Sequence, residues 1–424
     1  MRTFLGALGG AVLLCLGLAA AAGAASGPPP TPQQALASTL HSGIHKLGSS
    51  SGAYVLDATT GQVIYGYAPD VPRIPASVEK LYTTSVALLE FGPQATFTTE
   101  LLGTGSRSAT GVWQGRLYLR GGGDPTFGSA AFDWAWYRGG ATIERLVSNL
   151  QRSQHLKALH GTIVGDESYF DSLRSTIESN FSFDPFMEGS LSALAFNRSA
   201  IDLGWTWEPI SSPPVYAAGR LAATLRHAKV KLPRHQRLAA GTTPAAAQLL
   251  ATVHSPSLAT LLALTDTYSD NFFAETLTKD LGARFGTAGT TAAGVAVIQA
   301  QLASRFGLAP VFDDGSGLSY ADRTTPREVV TLLSDMASNP VFVDALAVAG
   351  ETGTLQHEMN GTPAQGDCRG KTGTLLNVAS LAGYCTAADG HTMIFAFLGD
   401  RQRNTDVGHK VEAGMAVALA KYDG

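Results

Sequence analysis

The chain has 424 residues, 45% of them hydrophobic and 15% charged, enough to bury a large core over two or three lobes and too apolar for a disordered chain. A formal net charge of −4 with scattered basic residues excludes the concentrated positive face of a nucleic-acid binder. No Cys or His lies two to four residues from Cys368 or Cys385, and the ten histidines form no H-E-x-x-H, so no metal or other cofactor is implied.

Residues 1–25 read as a signal peptide: Arg2, an apolar stretch from Phe4 to Leu18, then small residues with the A-x-A site Ala22-Gly23-Ala24. The apolar core is shorter than the roughly 20 residues of a membrane span, so cleavage near Ala24 or Ala25 leaves no stable span. Export to the periplasm or the cell-envelope exterior is expected. The Pro-rich residues Gly27 to Gln34 read as an extended lead-in. From Gly52 to Tyr67, two apolar runs around Thr59, Thr60 and Gly61 predict a β-hairpin. In PASVEKLYTTSVALLEFG, Val78, Leu81, Tyr82, Ser85, Leu88 and Leu89 recur at helical steps between Pro75 and Gly92, which predicts a buried helix.

Beyond residue 93 the pattern changes to Gly- and Thr-rich strand-like pieces, and residues 94–248 read as a mainly β inserted region. Helical periodicity returns in SLATLLALTDTYSDNFFAETLTKDLG and in TPREVVTLLSDMAS, which follows the turn-rich DDGSGLSY. Two strands, GKTGTLLNVASLAGYCT and HTMIFAFLG in outline, precede an amphipathic helix carrying Val407, Val411, Met415, Ala418 and Tyr422 on one stripe. Residues 26–93 and 249–424 thus read as one α+β unit interrupted by the insertion. Cys368 and Cys385 are symmetric about Leu376 and Asn377, so a hairpin turning there sets them opposite one another and predicts a cross-strand disulfide.

Three short motifs carry chemistry. Ser77 and Lys80 form S-V-E-K at a helix start, the i, i+3 spacing that puts hydroxyl and amine on one face; a desolvated lysine can take the serine proton. Ser269-Asp270-Asn271 gives S-D-N between two helical stretches, where a second hydroxyl can relay a proton and an amide can hold a carbonyl and the lysine. Lys371-Thr372-Gly373, followed by Thr374, gives K-T-G on an expected edge strand, where a cation and hydroxyls can receive a carboxylate. Gly350 to Leu355 nearly copies Gly370 to Leu375, but Glu351 stands where Lys371 does, so the carboxylate role goes to Lys371. Each motif alone is close to chance or to an ordinary helix cap. Together, in this order, they form a set shared by penicillin-binding proteins and class A β-lactamases.

The chain resembles the class C low-molecular-mass penicillin-binding proteins, the D-Ala-D-Ala carboxypeptidases and endopeptidases of peptidase family S13. GGGDPTF at Gly121, GDESYFD at Gly165, SALAFNRS at Ser192 and DGSGLS at Asp314 add to the likeness, as do the 192 residues between Ser77 and Ser269. The resemblance implies a DD-peptidase-like antiparallel sheet flanked by helices. It implies Ser77 as nucleophile, Lys80 as proton acceptor, Ser269 and Asn271 as the second catalytic element, and Lys371 with Thr372 as carboxylate site. The N–H groups of Ser77 and Thr374 would form the oxyanion hole. Peptidoglycan peptides and β-lactams are the implied partners. The alternatives are a β-lactamase or esterase using the same serine, and a non-catalytic peptidoglycan-binding module. Tyr320 departs from the basic residue common after DGSGLS in the family.

Overall fold

The computed structural model describes residues 29–202, 204 and 206–424, so the expected signal peptide lies outside the described residues. Among the described residues, no helix is long and apolar enough to cross a membrane. Helix α1 (Pro32–Leu47) comes first, which shortens the expected extended lead-in to Thr31. The cause is a capping box: the Thr31 hydroxyl accepts from the Gln34 N–H at 3.3 Å, and the Gln34 side chain accepts from the Thr31 N–H at 3.0 Å. Pro32 sits where a helix needs no N–H. Strands β1 (Ser51–Asp57) and β2 (Gln62–Tyr67) form the expected hairpin. A 3-10 turn, Ala76–Glu79, then feeds α2 (Lys80–Phe91), buried from Lys80 to Leu88 as its apolar sequence requires.

The middle of the chain builds its own sheet. In order it supplies β3 (Thr98–Arg107), β4 (Val112–Gly122), α3 (Ala130–Trp136), α4 (Ile143–Gln154), β5 (Ala158–His160), β6 (Thr162–Asp166), β7 (Ala200–Asp202), β8 (Trp207–Pro209), α5 (Pro213–His227), β9 (Arg237–Ala240) and β10 (Gln248–His254). The sheet order is β10-β3-β4-β6-β9, antiparallel through β4 and parallel beyond it. Leu146 and Leu150 of α4 and Leu221 and Leu225 of α5 close a separate core with Trp113, Leu117 and Ile163.

The last third gives α6 (Leu258–Tyr268), α7 (Asn271–Phe285), α8 (Thr291–Phe306), α9 (Pro326–Met336), α10 (Pro340–Asp344), β11 (Ala347–Val348), β12 (Cys368–Leu375), β13 (Val378–Thr386), β14 (Thr392–Gly399) and α11 (Thr405–Ala420). These strands and the N-terminal hairpin form one antiparallel sheet, β11-β12-β13-β14-β1-β2, so the two ends of the chain share a sheet. Helices α1 and α11 cover one face through Leu40, Ile44, Met415 and Leu419. Helices α2, α6, α7, α8 and α9 cover the other, through Leu81, Leu261, Phe272, Ile298 and Leu333 among others.

The β12–β13 register pairs Cys368 with Cys385 and ends at Leu375 with Val378, leaving Leu376 and Asn377 as the turn. The two cysteines are disulfide-bonded, with Cα atoms 4.1 Å apart. Leu-Asn is an unfavourable turn pair, yet Asn377 supplies the left-handed residue (φ 64°) that Asn tolerates better than most. Strand β12 has β11 beyond it, but β11 pairs only Arg369 and Gly370, so from Lys371 onward that side of β12 is an open edge.

Candidate active site

Ser77 sits half-buried on the turn ahead of α2, and its conformation is locked by close backbone packing. Ala76 before it takes φ 48°, a left-handed value that costs a residue with a Cβ about 1–2 kcal/mol. Gly317 (φ 79°) lies so close that a Cβ there would come within 2.0 Å of the Ala76 carbonyl oxygen. A Cβ at Gly373 would come within 2.5 Å of the Pro75 carbonyl oxygen. The glycines of DGSGLS and K-T-G therefore let one loop and one strand press directly on the turn that presents Ser77.

Lys80 is fully buried, and its Nζ has three partners: Ser77 Oγ at 2.8 Å, Asn271 Oδ1 at 2.6 Å and the Ser316 carbonyl at 2.6 Å. The amide oxygen and the carbonyl can only accept. A neutral amine donates its two hydrogens to them and turns its lone pair to the Ser77 hydroxyl. Burial pushes the Lys80 pKa down, against the opposing pull of Glu79, Asp314 and Glu275. Those carboxyls are buried too, and desolvation raises all three, Glu275 to about 8. The Ser316 carbonyl is held in place by Asp314, whose carboxylate accepts from the N–H groups of Ser316, Gly317 and Ser319 at 2.8–3.1 Å.

S-D-N occupies the break between α6 and α7. Ser269 takes φ 62° and ends α6, while Asp270 caps α7 by accepting from the Phe273 N–H at 3.0 Å. Asn271 gives its Oδ1 to Lys80 and donates from Nδ2 to the Phe186 carbonyl at 2.7 Å. The Asp270 carboxylate also accepts both arms of Arg198, at 2.8 and 2.7 Å. Arg198 is 1% exposed and belongs to SALAFNRS, where Asn197, Arg198 and Ser199 all have φ of 50–59°. A strained segment of the inserted region thus reaches across to hold the central residue of S-D-N.

Lys371 is also fully buried and donates to Ser269 Oγ at 2.7 Å and to the Thr372 carbonyl at 2.9 Å. Burial, and then the charge of Lys80, hold its pKa well below the lysine range. Thr372 is half-buried and Thr374 exposed on the open edge. The near copy of K-T-G is not distant from the motif: Thr372 Oγ1 donates to Thr354 Oγ1 at 2.9 Å. Thr374 Oγ1 lies 2.8 Å from His409 Nε2, whose Nδ1 lies 3.0 Å from Glu412 Oε2.

Ser77, Lys80 and Asn271 therefore form one hydrogen-bonded set and Ser269 and Lys371 a second, joined through the Ser269-Asp270-Asn271 backbone, and Thr372 and Thr374 follow Lys371 on β12. The sequence reading missed the Ser316 carbonyl, Arg198 and His409. DGSGLS and SALAFNRS marked the first two only as blocks, and a histidine 35 residues beyond Thr374 left no signal. A cavity of about 590 Å³ opens beside Ser269 and Asn271, walled by Trp136, Tyr137, Phe186 and Tyr268. Among the described residues, no group of three or more His, Cys, Asp or Glu side chains is arranged for a metal ion.

Such a serine, beneath an antiparallel sheet with an open K-T-G edge, defines a serine hydrolase of the DD-peptidase fold. The profile of the D-Ala-D-Ala carboxypeptidase 3 (S13) family matches residues 33–181 and 206–422. A carboxypeptidase of Mycobacterium tuberculosis is 29% identical over 84% of this chain and 77% of its own length. A D-alanyl-D-alanine carboxypeptidase of Actinomadura sp. (strain R39) is 27% identical over 89% of this chain and 82% of its own. The crystal structure of penicillin-binding protein 4 from Haemophilus influenzae covers 90% of this chain and 99% of its own, with a TM-score of 0.76 at 19% identity, a likeness of fold. The chain belongs to the D-Ala-D-Ala carboxypeptidase 3 (S13) family and is a serine-type D-Ala-D-Ala peptidase.

Proposed function

We propose that the protein, exported to the periplasm or cell-envelope exterior, hydrolyses D-Ala-D-Ala ends and D-Ala cross-links of peptidoglycan stem peptides through an acyl-enzyme on Ser77. The observation that supports this most is the partner set of Lys80, two obligate acceptors and the Ser77 hydroxyl, which suits a neutral base. Ser77 Oγ bonds to the D-Ala carbonyl carbon while its proton passes to Lys80. Negative charge on the carbonyl oxygen is met by the N–H groups of Ser77 and Thr374. The C–N bond then breaks, and the proton reaches the leaving amine through the Ser269 hydroxyl, polarised by Lys371. Water, deprotonated by Lys80, releases the acyl group and regenerates the serine. Asn271 positions Lys80, and Thr372 and Thr374 receive the terminal carboxylate.

β-Lactams are the inhibitors this reading implies, since they offer the same carbonyl and carboxylate to Ser77. The peptidase unit is divided by the insertion expected over 94–248, whose sheet β10 (Gln248–His254) completes and whose aromatic residues wall the cleft beside Asn271. Fluorescent penicillin and a D-Ala-D-Ala peptide test the assignment. Wild type is labelled covalently and releases D-Ala, and Ser77→Ala does neither. Label retained on folded Ser77→Ala protein refutes the nucleophile, and rapid nitrocefin turnover without D-Ala release indicates a β-lactamase.

A further inference from the structure

A terminal carboxylate carries a full negative charge, yet the cation of K-T-G is poorly placed to meet it. Lys371 is fully buried, and its Nζ is engaged by Ser269 and the Thr372 carbonyl. What β12 offers at its open edge is two neutral hydroxyls, Thr372 and Thr374. A small cavity of about 170 Å³ adjoins both of them, and His409 and Glu412, from the first turns of α11, line it together with Glu358. That volume accommodates a carboxylate group. His409 is only partly covered, with 23% of its side chain exposed, and its Nε2 already reaches Thr374 Oγ1 at 2.8 Å. Its other nitrogen points at Glu412, which is 1% exposed and whose second oxygen, Oε1, has no hydrogen-bond partner. A buried carboxylate behind a partly covered imidazole fixes the ring and favours its cationic form, with Nε2–H directed to Thr374 on the open edge.

We propose that His409, oriented by Glu412, is a specificity-determining residue that completes the receiving site for the substrate's terminal carboxylate together with Thr372 and Thr374. The inference rests on the D-Ala-D-Ala peptidase reading above. The groups that face His409 agree with it: Glu412 and Asp406 on α11 and Glu358 on the segment before β12 raise its pKa against the effect of burial, and Thr374 is neutral. Burial raises Glu412 itself to about 7, and the cationic end of the pair is lost on the alkaline side as His409 gives up its proton.

The test compares two forms of one D-Ala-D-Ala peptide, with a free or an amidated C-terminus. His409→Gln is expected to lower kcat/KM for the free acid about tenfold, mainly through KM, the effect of one charge-assisted hydrogen bond. The amidated peptide should be hydrolysed equally by both proteins. His409→Lys should restore much of the loss, and neither Gln nor Lys should show the wild type's alkaline rise in KM for the acid. Glu412→Gln should shift that rise to lower pH. Equal losses on acid and amide would show a structural role for His409 and overturn the proposal, as would no loss on either. A wild type that is not labelled by penicillin and releases no D-Ala instead overturns the peptidase reading, whatever His409 does.

Discussion

Arg198 joins the SALAFNRS segment to the centre of the S-D-N motif, and Arg198→Met measures how strongly that contact bears on the candidate site. Methionine keeps the apolar bulk against Phe272 and Phe273, whose rings lie 4.9 and 5.7 Å from the guanidinium carbon. It removes two charge-assisted bonds to Asp270, each worth about 1.5–3 kcal/mol, and strands a carboxylate that is only 13% exposed. The sum agrees with the roughly 3–5 kcal/mol lost when one partner of a buried pair is deleted. Against a total stability of about 5–15 kcal/mol the variant still folds, with a much lower urea midpoint. Asp270 lies between Ser269 and Asn271, so its release should slow penicillin acylation by about 10²-fold, the effect of a displacement near 1 Å. Asp270→Asn keeps the cap on α7 and removes the charge. The double variant should therefore be little worse than Arg198→Met alone, a coupling of several kcal/mol in urea titrations. Strictly additive losses, or an Arg198→Met protein with wild-type midpoint and acylation rate, would refute the reasoning.

Gly317→Ala forces a Cβ to within 2.0 Å of the Ala76 oxygen at φ 79°, and should cost penicillin labelling more than overall helix content by circular dichroism. Replacing Cys368 and Cys385 together by Ala removes a bridge of 17 residues and should lower stability by about 3 kcal/mol while D-Ala release continues. Burial raises both Asp124 and Asp280, with Asp133 adding to the shift of Asp124 and Asp124 to that of Asp280; Asp124 reaches about 7. The native state holds their protons longer than the unfolded chain. Their stabilisation is complete at acid pH and fades by up to about 4 kcal/mol as pH rises from about 4 to 7; Asp280→Asn should flatten that slope in urea midpoints.

What the sequence made legible were features whose signal is local or repeated. S-V-E-K announces itself because i, i+3 spacing on a helix is a fixed geometry, and the disulfide because a hairpin register is arithmetic on two positions. Helix α1 was readable in principle from Thr31, Pro32 and Gln34, but proline density suggested an extended chain, and the capping box prevailed. The contacts between Arg198 and Asp270, 72 residues apart, and between Thr374 and His409 arise only once helices and sheet pack. The role of Ser316 was illegible for another reason: its carbonyl acts, and every residue has one. The near copy at Gly350 looked like coincidence until Thr354 was found bonded to Thr372.

The charge state of Lys80 is the point on which the site turns. Four carboxyls, Glu79, Asp314, Glu275 and Asp266, act on it, and if all were ionised they would hold the lysine as a cation with no lone pair to offer. Removing all of these charges from water at once is expensive, and a buried group escapes that cost by neutralising. The carboxyls respond by keeping their protons, Glu275 up to about 8. Lys371, bonded to Ser269, is itself held well below the lysine range by burial and then by Lys80. A proton arriving on Lys80 during acylation makes a cation whose hydrogens the Asn271 amide oxygen and the Ser316 carbonyl accept. Lys80→Arg separates this account from one in which only a positive charge is needed beside Ser77. Arginine keeps the charge and the donors but cannot surrender a proton in this range. Acylation by penicillin should fall by about 10²–10⁴-fold, the usual contribution of a positioned base. A Lys80→Arg protein labelled at the wild-type rate would place the base elsewhere.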